Sequence, residues 1–170
     1  MGTVPLKLRL PFWIATLSAA AGAVVYGATF AGMLLHHILF LLPVLFLVWF
    51  LVLQQWRHVP RRNLRSEIFG DIPRGMKLAA AALILFAFVN CLACLALNDF
   101  AQPQQLADGR TVLQKRGQLV RPLDAGEFRH AQAVQLRMLG GFFVACFGLA
   151  ALLAETCWIK NGPAMADRKI

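Results

Sequence analysis

Residues 10–53 form 44 consecutive positions without a single Lys, Arg, Asp or Glu. As one helix this run would extend roughly 66 Å, about twice the hydrocarbon thickness of a bilayer, so it must reverse within itself. Its one strongly polar interruption is His36-His37, the natural place for a turn, and the pattern predicts back-to-back spans at 12–34 and 38–56. Two further apolar stretches follow, at 78–97 and 136–158, separated by polar segments at 57–77 and 98–132. The expected fold is therefore an all-α membrane protein: one four-span domain over residues 1–170, with a small structured outer loop.

The spans differ in character. Span one carries Ala19, Ala23, Gly27 and Ala31 at four-residue intervals, a small-residue line along which another helix backbone can approach. Span two is bulky, with Phe40, Phe46, Trp49 and Phe50, and suits lipid. Pro11 is expected in the first turn of span one, where its missing N–H has no helical partner, and Pro43 inside span two predicts a kink. The last element has Asp124 followed three residues later by Glu127, the spacing of a capping box. From there a helix of about 33 residues is expected to cross the membrane and project beyond it, ending before Gly162 with a loose tail after Lys160. Its inner part repeats Gly141, Ala145 and Gly148, expected to pack on span one. In the outer loop, residues 111–114 and 118–121 read as two strands around Lys115-Arg116-Gly117, a β-hairpin.

Charge sets the orientation. The 57–77 segment carries Arg57, Arg61, Arg62, Arg65, Arg74 and Lys77, and with Lys7, Arg9, Lys160, Arg168 and Lys169 that side holds 11 Lys or Arg against six in the 98–137 region. The positive-inside rule puts both termini in the cytoplasm. Trp13, Trp56 and Trp158 fall at the same face, as an interfacial belt does. With 59% hydrophobic and 15% charged residues the chain is too apolar for an ordinary soluble domain. Its +9 formal charge then points to anionic lipid, with Arg57, Arg61, Arg62 and Arg65 as the contact residues, and not to nucleic acid. The four Cys lie in or beside apolar segments and do not make a secreted disulfide framework.

The loop segment running from Asp108-Gly109 through Val112-Leu113 to Gly117, then Val120-Arg121-Pro122-Leu123, resembles the outer loop of small four-helix bacterial inner-membrane proteins with no assigned activity. Thr111 stands where those proteins have an aromatic residue and Arg116 where they have His. The resemblance spans about 30 residues and implies a bacterial inner membrane and a four-span topology, not a chemistry.

Candidate chemistry is sparse. Cys91-x-x-Cys94 has the spacing of a redox pair that passes electrons to quinone, although cysteine also packs as a small apolar residue. His36 and His37 are candidate haem ligands, and with His130 a three-histidine metal set, against the plainer role of polar residues closing a turn. Glu155 is the one carboxylate inside a span, a candidate for proton coupling or for an ion pair near Lys160, Arg57 and His58. No Walker loop, HExxH or dinucleotide fingerprint occurs. The function expected is a non-catalytic accessory or assembly subunit of a larger membrane complex, in contact with a membrane-protein partner or another copy of itself, with no catalytic residue, metal or cofactor predicted. Interaction residues on this reading are Ala19, Ala23, Gly27, Ala31, Gly141, Ala145 and Gly148. The alternatives are a redox protein using quinone, haem or the thiol pair, an oligomeric transporter or channel, or an immunity protein against a membrane-acting toxin.

Overall fold

A computed structural model of the chain describes residues 6–34, 36–56 and 72–166. Four helices, α1 (Leu6–Ala28), α2 (Leu41–Trp56), α3 (Arg74–Leu97) and α4 (Ala125–Ala166), are joined between α3 and α4 by strands β1 (Gln102–Gln105), β2 (Thr111–Lys115) and β3 (Gln118–Pro122). Among the described residues, counted with their flanking turns, four helices are long and apolar enough to cross a membrane: Arg9–Ala31, His37–Trp56, Arg74–Leu97 and Ala125–Ile159. The chain is thus mostly helical, as expected, with a three-stranded sheet in place of a simple hairpin.

The two helices of the N-terminal apolar run do not hold the molecule together; α4 does. Helices α1, α3 and α2 all pack on it. At the centre Phe143 and Phe147 are fully buried, and Ala15 of α1 and Val48 and Val52 of α2 belong to the same core. The approach is close because the facing residues are small. A Cβ at Gly140 would stand 3.3 Å from the Tyr26 backbone, and one at Gly148 would meet Leu83 of α3. Small residues bring helix backbones near enough for dispersion to replace the hydrophobic effect that lipid does not supply.

Several boundaries differ from the sequence expectation. Helix α1 begins at Leu6, so Pro11 is internal and buried rather than in the first turn, and the carbonyl four residues earlier loses its helical donor. The helix ends in a 3₁₀ turn, Thr29–Ala31, closed by Gly32 at φ +73 with its N–H on the Thr29 carbonyl. That left-handed position, not the histidine pair, starts the reversal, because glycine adopts it without steric cost. His36–Phe40 is itself a 3₁₀ segment leading into α2. Pro43 is consequently the third residue of α2, where the 3₁₀ segment passes into α-helix, a place at which a missing N–H is tolerated. Helix α4 continues through Gly162 and Pro163 to Ala166, 42 residues and about 63 Å, so the chain after Lys160 is helical where a loose tail was expected.

The surplus length of α4 supports the sheet. The strands form an antiparallel meander in the order β1-β2-β3, with Gln102 opposite Gln114 and Leu113 opposite Arg121. Leu113 and Leu123 pack with Ala101 against Ala131 and Phe128 of α4. The capping box is closed: the Glu127 N–H donates to Asp124 Oδ1 at 2.7 Å and the Asp124 N–H to Glu127 Oε2 at 3.1 Å. Strand β1, Gln-Pro-Gln-Gln, is the one described strand that the sequence pattern did not predict. It has no apolar alternation, and its proline is tolerated because β1 is an edge strand.

Candidate functional site

Of the five buried polar residues among those described, Thr29, Asn90 and Asn98 lie at the sheet-bearing end of the bundle. Asn90 on α3 is buried and donates through Nδ2 to the Met138 and Arg137 carbonyls of α4, at 3.4 and 3.5 Å. Cys94, one turn on, lies with Sγ 3.7 Å from Asn90 Oδ1. Gly141 supplies the room: a Cβ there would be 2.8 Å from Asn90 Cγ and closer still to Nδ2. On the other side of α4, Arg137 reaches α1. Its Nε donates to Thr29 Oγ1 at 3.3 Å, its Nη2 to the Thr29 carbonyl at 3.4 Å, and its guanidinium lies 3.7 Å from the centroid of Phe30. A cation on the final carbonyls of α1 meets the negative end of that helix. Arg137 therefore joins three helices: its side chain holds α1 while its carbonyl accepts from α3. Sequence reasoning placed Arg137 only on the projecting part of the last helix. The signal it missed is that Arg137 falls inside the apolar stretch 136–158, where no other Lys or Arg occurs.

A second cluster lies at the opposite end, where the start of α1 meets the end of α4. The Arg9 guanidinium stacks 4.1 Å from the Trp158 ring centroid. Arg9 Nε, Trp158 Nε1 and Trp56 Nε1 are buried donors without an acceptor. Trp13 at the same end is exposed.

The predicted site residues are dispersed over these features. Gly141 and Ala145 are buried in the bundle and Gly148 is half-buried against Leu83. On α1, Ala19 is half-buried at the core, but Ala23, Gly27 and Ala31 face outward, and a Cβ at Gly27 would meet nothing within 4 Å. The face of α1 that packs inward is instead Pro11, Ala15, Ser18, Gly22 and Thr29. Cys91 is exposed and Cys94 buried, both as free thiols. His37 is exposed, with its ring 6.2 Å from Phe40 and nearly parallel to it. His130 lines a hollow of about 370 Å³ with Asn98, Arg121 and Glu127. Among the described residues no three of His, Cys, Asp and Glu converge as a metal set. Glu155 is half-buried on α4. The side chains of His36 and Lys160 lie outside the described residues, as do Arg57, His58, Arg61, Arg62 and Arg65.

Charge on the sheet is paired unevenly. Arg110 bonds Asp108 at 2.7 Å and Arg121 bonds Glu127 at 2.8 Å. The hydrogen bond from Arg110 lowers the Asp108 carboxyl below its ordinary range, and Arg121, followed by the Asp124 N–H, does the same to Glu127. Among the described residues, Lys115 and Arg116 have no carboxylate within ion-pair distance. Compared with protein-family models, curated proteins and solved structures, the chain finds no match.

Proposed function

We propose that this chain is a non-catalytic accessory or assembly subunit of a larger complex in a bacterial inner membrane, with both termini and the 57–77 segment cytoplasmic. One observation carries the reading: α1 has two small-residue faces, and only one is used inside the chain. Ala15, Ser18 and Gly22 are buried, while Ala23, Gly27 and Ala31 lie outward along a bared stretch of backbone. Toward lipid such a line gains little, because lipid chains make fewer dispersion contacts with it than with Leu or Phe. Toward another helix it allows close approach. The partner is a membrane protein, with a second copy of this chain as the self-associating form. Arg57, Arg61, Arg62 and Arg65 add attraction to anionic lipid on the cytoplasmic side. The role requires no cofactor.

The test is purification in mild detergent with mass spectrometry of the companions, for the native chain and for Gly27→Leu. The added side chain enters open space within the protomer, so the variant keeps its fold and loses its companions. A native chain that runs as a lone monomer, or a variant that retains every companion, refutes the proposal.

A further inference from the structure

Three residues other than glycine have positive φ among the described residues: Asp99 at +52, Phe100 at +56 and Arg116 at +50. Two of them, Phe100 and Arg116, line a single hollow of about 610 Å³ on the sheet. Backbone held in this region costs on the order of 1 kcal/mol or more per residue, and such strain concentrates where a side chain must be presented to something. Arg116 precedes Gly117, φ +80, in the two-residue turn between β2 and β3. Asn suits such a turn position far better than Arg.

The rest of the lining has one chemical character. Gln102, Gln104 and Gln114 present amides, Lys115 and Arg116 present cations, Phe100 an aromatic ring, and no carboxylate takes part. Lys115 Nζ stands 5.6 Å from the Phe100 ring centroid and 3.5 Å from the Asp99 carbonyl. The sheet's other two arginines are neutralised by Asp108 and Glu127. The unpaired positive charge of the sheet is therefore collected at this hollow.

Position identifies the anion. Helix α3 ends at Leu97, and residues 78–97 make a span of about 30 Å, the thickness of the hydrocarbon layer. Phe100 is three residues further on, no more than about 11 Å of chain from that boundary. The headgroup layer beyond it is roughly 5–8 Å deep. Phe100 is 55% exposed there, with Leu97 at 59%. We infer that this hollow binds the phosphate of an anionic phospholipid headgroup, with Lys115 and Arg116 on the phosphate, the glutamine amides on the headgroup's hydroxyl and ester oxygens, and Phe100 at the acyl boundary. This site goes beyond the subunit role and does not depend on it.

Native mass spectrometry of the full chain in detergent, with phosphatidylglycerol or phosphatidylcholine added, tests the assignment. Phosphatidylglycerol is retained in preference. Retention falls roughly fivefold in Lys115→Gln or Arg116→Asn and about thirtyfold in the double variant, and is unchanged in Arg129→Gln, which removes a cation elsewhere in the same region. Arg116→Asn also keeps or raises thermal stability, because it relieves the turn, so lost binding is separable from lost folding. Lys115→Gln provides the same reading without touching the turn. Equal retention of the two lipids, an unaltered double variant, or an equal loss in Arg129→Gln overturns the assignment. Displacement of the lipid by millimolar inorganic phosphate also overturns it, in favour of a free-phosphate site.

Discussion

Gly141→Ala is the most exacting test of the packing described here, because one methyl group sets two opposed terms against each other. In an isolated helix the substitution stabilises by about 1 kcal/mol. In this bundle the new Cβ stands 2.8 Å from Asn90 Cγ and nearer to Nδ2, a separation that requires the amide to move. Movement breaks the bonds to the Arg137 and Met138 carbonyls and strands a buried amide. At 3.4–3.5 Å these bonds are long, and interhelical hydrogen bonds in membranes average only about 0.6 kcal/mol. The larger costs are overpacking, about 1–3 kcal/mol, and the unsatisfied polar group, about 1–3 kcal/mol. Set against the helix-propensity gain, the expected net loss is about 1–5 kcal/mol. Asn90→Ala removes the colliding atoms and leaves only Cβ, so in that background Gly141→Ala is neutral or stabilising. The coupling is read by denaturing-detergent titration of all four proteins, with helicity by circular dichroism and the cycle closed by subtraction. A Gly141→Ala protein as stable as the native one, or the same penalty with and without Asn90, refutes the contact.

Gly148→Ala meets the end of a flexible Leu83 side chain instead, and the same titration should show a smaller penalty than at 141. Gly32→Ala forces a side chain into φ +73 and should cost about 1–2 kcal/mol, although there is open space around the position. Arg137→Gln loses the cap on α1 and the Phe30 contact, about 1–2 kcal/mol, and hydrogen exchange should rise at residues 26–32 before the rest of α1 loosens. Glu127 titrates below its ordinary value in the folded chain. Its contribution is therefore present above the unfolded-state value near 4.5 and is lost as pH falls through the lowered one. Exchange at residues 111–123 should accelerate in that acid window in the native chain and show no such step in Glu127→Gln.

The hydropathy pattern located all four long apolar helices because a stretch of 20 apolar residues has few alternative fates. The Asp124/Glu127 box and the turn at Arg116-Gly117 were legible for a related reason, since each is a local signal satisfied within a few residues. What the pattern did not reveal depends on contacts distant in sequence. Ala19-Ala23-Gly27-Ala31 and Ala15-Ser18-Gly22 are equally plausible packing lines on one helix, and only the position of α4 distinguishes them. Strand β1 exists because β2 offers it an edge, and nothing in Gln-Pro-Gln-Gln announces that. Arg137 reads as a solvated charge until Thr29 and Phe30 are brought to it, 108 and 107 positions earlier in the chain.

Because the helix on which the other three rest is the last to be made, a ribosome delivers α1, α2 and α3 to the membrane well before their common support exists. Each must persist in lipid as an inserted but undocked segment, the small-residue faces of α1 open to any neighbour, until synthesis passes residue 125. Assembly is then a late, single event, and the interval before it is when quality-control proteases and off-pathway helix pairing have their best access to this chain.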